Sequence, residues 1–352
     1  MGRFFRFSSS LAFSFAVIAS ASMLGCDAAS VGGDAGSAEP APLEDIYAGP
    51  AYEVEDGWYS EEGLHKNPAA CGASEYRWWG PGALGRVLDR ELKHTFTAPV
   101  LDGFRNSFAQ TAVVSRDPKT TAALYRIRYQ TQDRGSLTDA TAMIAYPMNP
   151  ASGPTPVLVY LHGTAGFSDS CSPSGRISGP LASNYVNAAI VGMFASWGYI
   201  VVAPDYIGMK SMGEPSEEIH PYLVGEPTAI ATLDAIRAAE NLLVDIDAPL
   251  SFSDDILLYG ISQGGHAAAF TARYAPHYAP EYSFKGAVYS VPPLDLVGES
   301  AAALSVPTPV SLGNSSAFLV GAEDWYEAAG NDFSQAIVPP ADTAVVDALG
   351  EI

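Results

Sequence analysis

The stretch from 254 to 275, DDILLYGISQGGHAAAFTARYA, constrains the fold more than any other part of the chain. Ile256–Tyr259 is a continuous apolar run, as expected of a strand buried on both faces. It leads without a linker into Gly260-x-Ser262-x-Gly264 and then into a helical stretch from Gly264 to Tyr274. A strand that turns directly into a helix belongs to a layered α/β architecture.

Other segments repeat the pattern. Ala122–Gln130 and Thr141–Tyr146 read as a hairpin around a polar turn. Pro156–Leu161 (PVLVYL) and Tyr199–Ala203 (YIVVA) read as buried strands, and Ala287–Val291 as the sixth. Helices are expected over Leu181–Trp197, stopped by Gly198, and over Pro227–Leu243, where Ile230, Leu233, Ile236 and Leu243 form one stripe. The expected fold class is therefore α/β, a mostly parallel sheet with helices on both faces. Residues 121–296 form its core. Residues 51–120 form an aromatic-rich N-terminal extension packed on the core, with one short helix around Ala83–Leu92, and residues 297–352 form a cap with a helical run near Ser316–Ala328.

Residues 1–26 read as an export signal rather than as part of the fold. Arg3 and Arg6 precede an apolar run, Leu11–Leu24, that is short for a membrane span. The run closes on Met23-Leu24-Gly25-Cys26, which resembles a bacterial lipobox with Cys26 as the lipidated residue, although Met stands where Leu is usual. The expectation is a lipid anchor in the bacterial cell envelope; an ordinary secretory signal is the alternative. Residues 27–50 are small, acidic and rich in Gly, Ala and Pro, and read as a flexible tether. With Cys26 lipidated, Cys71 and Cys171 remain as a pair in an oxidising compartment, and the sequence leaves open whether they bond. A formal charge of −21 argues against nucleic acid as a partner. No metal-ligand spacing and no phosphate loop is present, so no cofactor is expected.

Gly-x-Ser-x-Gly is a weak signal alone, and its context sharpens it. When the triplet ends a buried strand and opens a helix, a strained turn lifts the serine hydroxyl above the sheet edge. Gly260 and Gly264 supply room for that turn, and Ser262 is the candidate nucleophile. The competing reading is a Gly-rich turn without chemistry. At the end of the PVLVYL strand stands His162-Gly163-Thr164-Ala165-Gly166. Acyl transfer needs two backbone N–H groups aimed at the developing oxyanion. The amide of Gln263 is one candidate, and that of Gly163 or Thr164 the other. His162 is expected to shape this loop by packing.

These residues resemble the α/β-hydrolase superfamily, and within it the secretory lipase and esterase group. The resemblance rests on VLVYLHGTAG…CSPS (157–174), GYIVVAPDYIGM (198–209), HPYLVGEPTAIATLDAIRAA (220–239) and GISQGGHAA (260–268), and covers roughly 121–300. It implies an ester or lipid hydrolase with a Ser-His-Asp triad, a cap after the sixth strand, and no cofactor. One departure stands out. No histidine follows His277, so the acid and histidine loops of the family, and its last sheet strands, are expected to be missing from this chain. A partner or second chain would then complete the sheet. His220, His266 and Asp295 are the substitutes available near the elbow, each with a structural role as its competing reading. The alternative function is a catalytically inactive hydrolase-fold lipoprotein that binds a ligand or a protein.

Overall fold

The computed structural model describes residues 65–66, 77–108, 116–177, 185–305 and 308–326. The expected export signal and tether, with Cys26 and Cys71, lie outside the described residues. A short ribbon pairs β1 (His65–Lys66) with β2 (Arg77–Trp78). The main sheet has seven strands: β3 (Val87–Phe96), β4 (Ala122–Asp133), β5 (Ser136–Pro147), β6 (Pro154–Leu161), β7 (Ile200–Pro204), β8 (Ser251–Ile261) and β9 (Ser283–Ser290). Their spatial order is β3-β4-β5-β7-β6-β8-β9. The first four pair antiparallel and the last four parallel, so the apolar runs of the sequence sit in the parallel half. The β4–β5 hairpin turns at Arg134 and Gly135, both at positive φ (47° and 73°), which matches the twist of the flanking strands. At the other edge of the sheet is β9, where Val288 and Tyr289 are exposed.

Residues 87–96 correct the sequence reading. The helix expected around 83–92 is instead a single 3₁₀ turn at Pro81–Ala83 followed by β3. The charges of this segment find partners across the strands rather than along a helix. Asp89 faces Arg128 and Glu91 faces Arg126 in register, and both pairs form salt bridges. The N-terminal extension thus contributes a strand to the sheet as well as a covering layer. Its helix α1 (Ala98–Phe108) has no counterpart among the sequence expectations.

Helices cover both faces of the sheet. On one face α1 and α2 (Tyr185–Ser196) close a core containing Phe96, Leu101, Val191 and Val201. On the other, α3 (Gly225–Asp245) and α4 (Gln263–Tyr278) pack over Ile127, Ile144, Val159 and Leu258. Two further helices, α5 (Leu296–Ser305) and α6 (Pro309–Trp325), follow β9, in the region expected to be the cap. Leu296, Phe318 and Trp325 join Tyr222, Leu223 and Val224 in a separate apolar cluster, with Phe167 against it. The far end of α6 is fastened to the β4–β5 turn. Arg134 donates to the carbonyls of Asp324 and Trp325, at 3.0 and 3.1 Å, and the Trp325 indole donates to Asp133 at 2.7 Å. A guanidinium on terminal helix carbonyls satisfies acceptors that lack partners within the helix. Among the described residues no helix is long and apolar enough to cross a membrane.

A buried polar hub ties α3 to the sheet and to α4. Arg237 donates to Asp234 at 2.8 Å, to Glu281 at 2.7 Å and to the Tyr278 carbonyl at 2.7 Å. Asp234 also accepts from Thr131 and Tyr278. Burial pushes the Asp234 carboxyl up, against the opposing pull of Arg237 and the hydroxyl donors. Arg237→Met leaves that carboxylate without its counter-charge, which costs ~3–5 kcal/mol for a buried pair. Its folded-state pKa then rises further above the unfolded value, so stability falls as pH rises through the neutral range. The drop in melting temperature is expected to be larger at pH 8 than at pH 5; an equal drop at both contradicts this account of the hub.

Candidate active site

Ser262 occupies the junction of β8 and α4 with φ 55° and ψ −120°. A non-glycine residue at positive φ is strained and persists only where its surroundings over-determine it. Here the surroundings are two glycine contacts. A Cβ on Gly260 would overlap the carbonyl of Gly264, and a Cβ on Gly264 would overlap the carbonyl of Leu161 at the end of β6. The start of α4 therefore lies directly on two strand ends. The Ser262 amide donates to the Ser290 carbonyl of β9 at 2.9 Å, which fixes the turn from a third strand. The Ser262 side chain is left half-buried at the carboxyl end of the sheet, where open α/β sheets bind ligands.

The loop after β6 comes to the same point. A Cβ on Gly163 would lie 3.6 Å from the Ser262 Cβ and 3.3 Å from the Ile261 carbonyl. Gln263 is the first residue of α4, so its amide has no acceptor within the helix. Among the described residues the amides of Gly163, Thr164 and Gln263 donate to no backbone carbonyl. These N–H groups and the positive end of α4 beside the hydroxyl form the kind of arrangement that stabilises an oxyanion.

The histidines near the elbow are engaged elsewhere. His162 is buried and donates through Nδ1 to the Gly163 carbonyl at 2.7 Å, and its ring lies on Tyr206 with centroids 4.5 Å apart. His220, also buried, donates through Nδ1 to the Ile207 carbonyl at 2.8 Å, which leaves Nε2 to accept from the Gln263 side-chain amide at 2.9 Å. The ring of His266 lies against Phe270, one turn along α4. Burial lowers all three: His162 and His220 to about 4, His266 to about 3. They are neutral at pH 7, and among the described residues none is hydrogen-bonded to Ser262. His94 meets Phe96 edge-on in β3 at the far edge of the sheet, and His277 lies in the last turn of α4. Asp295 accepts from the Gly298 amide at 2.9 Å as the residue leading into α5. This is N-cap geometry.

Three further residues around the site were not candidates in the sequence, although Asp205 and Tyr222 lie within the segments that carry the family resemblance. Asp205, at the end of β7, accepts from the Ser174 amide at 2.8 Å, from the Ser174 hydroxyl, and from Thr141 at 2.6 Å. Burial raises it to about 7 against those donors. Asp169 accepts from the amides of Lys210 and Ser216. Together they fasten the 163–176 loop to the segment after β7. Tyr222 bonds its hydroxyl to that of Thr164 at 2.7 Å. A buried Asp at a strand end was the available signal for the first; the other two become visible only once the chain has folded. Among the described residues Cys171, in this loop, has no disulfide partner; Cys71 lies outside them. Among the described residues no group of His, Cys, Asp and Glu has a metal-holding arrangement.

This architecture, with a strained serine on a strand–helix turn, is the α/β-hydrolase fold. The rice cell wall degrading esterase LipA from Xanthomonas oryzae superposes with a TM-score of 0.63 at 24% identity, over 76% of this chain and 67% of that one. Within the fold, the chain resembles the secretory lipases. The model of the secretory lipase family matches residues 182–304. Lipase A of Moesziomyces aphidis is 29% identical over 180 residues, 49% of this chain and 36% of that protein. A probable inactive lipase of Mycobacterium tuberculosis is 28% identical over 209 residues, 55% of this chain and 44% of that protein. The chain thus spans less than half the length of either of these two relatives.

The contacts predict a graded response to added methyl groups. Gly260→Ala drives a Cβ into backbone at the elbow, and overpacking against backbone costs at least ~1–3 kcal/mol. Gly163→Ala meets only a 3.3 Å neighbour and is expected to fold. Thermal melts of the two variants should therefore differ, with Gly260→Ala melting well below Gly163→Ala; equal melting temperatures contradict the elbow packing described above.

Proposed function

We propose that this protein is a serine carboxylic-ester hydrolase of the esterase or lipase type, working through an acyl-enzyme on Ser262. The observation that carries the proposal is the Ser262 turn at φ 55° with Gly163 so close that a Cβ there would lie 3.6 Å from the Ser262 Cβ. The Ser262 Oγ attacks the ester carbonyl carbon while a base takes its proton. The carbonyl oxygen becomes an oxyanion facing the amides of Gln263 and of Gly163 or Thr164. Collapse of this intermediate breaks the ester C–O bond, and the alcohol leaves with a proton from the base. Water then attacks the acyl-enzyme by the same route and releases the acid. The base is a group other than His162, His220 and His266, whose rings are turned to other partners.

The cap supports an apolar acyl group as the part of the substrate that is held. Phe318, Leu296 and Phe167 belong to one apolar cluster beside the Thr164 loop. The resemblance to secretory lipases favours an exported protein. Arg3, Arg6, the apolar run to Leu24 and Cys26 favour a lipid anchor at Cys26, so that the enzyme works at a bacterial envelope. Labelling of cells with a palmitate analogue should mark the wild type and not Cys26→Ser; equal marking of both rejects the anchor.

A second reading is favoured by the engagement of all three nearby histidines: a hydrolase-fold protein that binds its ligand without turnover. Steady-state hydrolysis of p-nitrophenyl butyrate separates the two. The proposal expects turnover that falls by ~10⁴-fold or more in Ser262→Ala, as for loss of a serine nucleophile. Folded wild type and Ser262→Ala that are equally inert support the second reading and overturn the first.

A further inference from the structure

The segment from His220 to Val224 touches both arms of the proposed oxyanion hole at once. From one side His220 Nε2 accepts the Gln263 side-chain amide at 2.9 Å. That bond is the one Gln263 side-chain contact formed among the described residues, since its Oε1 is buried without a partner. It therefore holds the residue directly after Ser262. From the other side the Tyr222 hydroxyl meets the Thr164 hydroxyl at 2.7 Å, and the Tyr222 ring meets Phe167 edge-on at 5.0 Å between centroids. One short segment thus grips the residue after the nucleophile and the loop that would supply the second amide.

The segment is itself held tightly. His220, Tyr222, Leu223 and Val224 are all buried, and Leu223 is strained at φ 59°. Below, Gly208 lies so close that a Cβ there would come 2.6 Å from the His220 Cα. Above, α6 rests on it backbone to backbone: a Cβ on Gly321 would come 2.8 Å from the His220 carbonyl and 3.0 Å from the Tyr222 amide. The same end of α6, one turn on from Gly321, is fixed by Arg134 and Trp325 at the β4–β5 turn. Behind the segment, His220 stacks on Tyr206 with planes 12° apart, and Tyr206 donates to the His162 carbonyl at 3.2 Å.

We infer that His220 and Tyr222 are positioning residues, and that the seating of cap helix α6 on them sets the geometry of both oxyanion donors. The inference rests on the hydrolase reading of Ser262. When α6 sits on the segment, Tyr222 holds the Thr164 loop and His220 holds Gln263. When α6 lifts or shifts, both holds loosen together. The packing of α6 on this segment is thereby linked to transition-state stabilisation. The effect falls on the chemical step, because the donors matter when charge develops on the oxygen rather than when the ester binds.

Two variants test this away from the reacting atoms. Tyr222→Phe removes the bond to Thr164 while keeping the ring. Gly321→Ala adds one methyl between α6 and the segment, in a helix where alanine is otherwise favoured. Kinetics on p-nitrophenyl butyrate with the full chain should show kcat reduced on the order of ten- to hundred-fold in each, the scale of a small misplacement of a catalytic group. KM should stay within about two-fold, as expected when an interaction made only in the transition state is lost. The double variant should lose little more than the worse single one, because both act on one contact chain. Thermal melts confirm that each is folded, and if one variant fails to fold the other carries the test. An active wild type whose folded variants keep kcat, or lose only KM, overturns the positioning role and leaves the hydrolase reading standing. A wild type that is inert beside Ser262→Ala overturns the hydrolase reading and this inference with it.

Discussion

The contact of the Gly264 Cα with the Leu161 carbonyl is the constraint on which the rest of the site depends. It lets the first turn of α4 lie against the end of β6, with no side chain between them. That approach forces the chain to reverse within one residue, and Ser262 takes the strained backbone that results. Strain of this kind is of order 1–3 kcal/mol and needs a rigid surround. Strands β6, β8 and β9 supply it, through Leu161, Gly260 and Ser290. The same approach brings the helix N-terminus and the loop after β6 to the serine, so one packing contact sets both the proposed nucleophile and the amides proposed as its oxyanion donors.

Around this point the protein buries polar groups that would be costly without partners. Asp205 gathers Ser174 and Thr141, and Asp169 gathers the amides of Lys210 and Ser216. Both bind the 163–176 loop to the segment that follows β7. His162, His220 and His266 are kept neutral by burial, each with its ring committed to a neighbour. His162 and His220 belong to the framework that holds the loops. Burial beside a serine is therefore weak ground for naming a base; the bonds each ring makes decide its role.

The parallel half of the sheet was legible from residue pattern. PVLVYL, YIVVA and DILLY are strands because continuous apolar runs fit a sheet covered on both faces; the first two match β6 and β7 to within two residues at either end, and DILLY lies inside β8, which runs from Ser251 to Ile261. The elbow was legible because its glycine spacing has a steric cause that acts within a few residues. Residues 87–96 were misread because the order of charges along the chain does not reveal partners across a sheet. Asp89 and Glu91 meet arginines about forty positions away, and only the fold brings them opposite. For the same reason the partners of Tyr222 and Asp205 could not be read from sequence. Their roles lie in contacts to Thr164, Ser174 and Thr141 that no local spacing encodes.

The central claim is that Ser262 is a strained, activated nucleophile beside working oxyanion donors. Mass spectrometry of proteolytic fragments after exposure to a fluorophosphonate probe tests it most directly, because phosphonylation demands a nucleophile and stabilisation of a tetrahedral oxyanion at the same place. The account predicts one adduct, on the peptide that contains Ser262, and none after heat unfolding. A folded protein that takes up no probe, or takes it up on another residue, would contradict it.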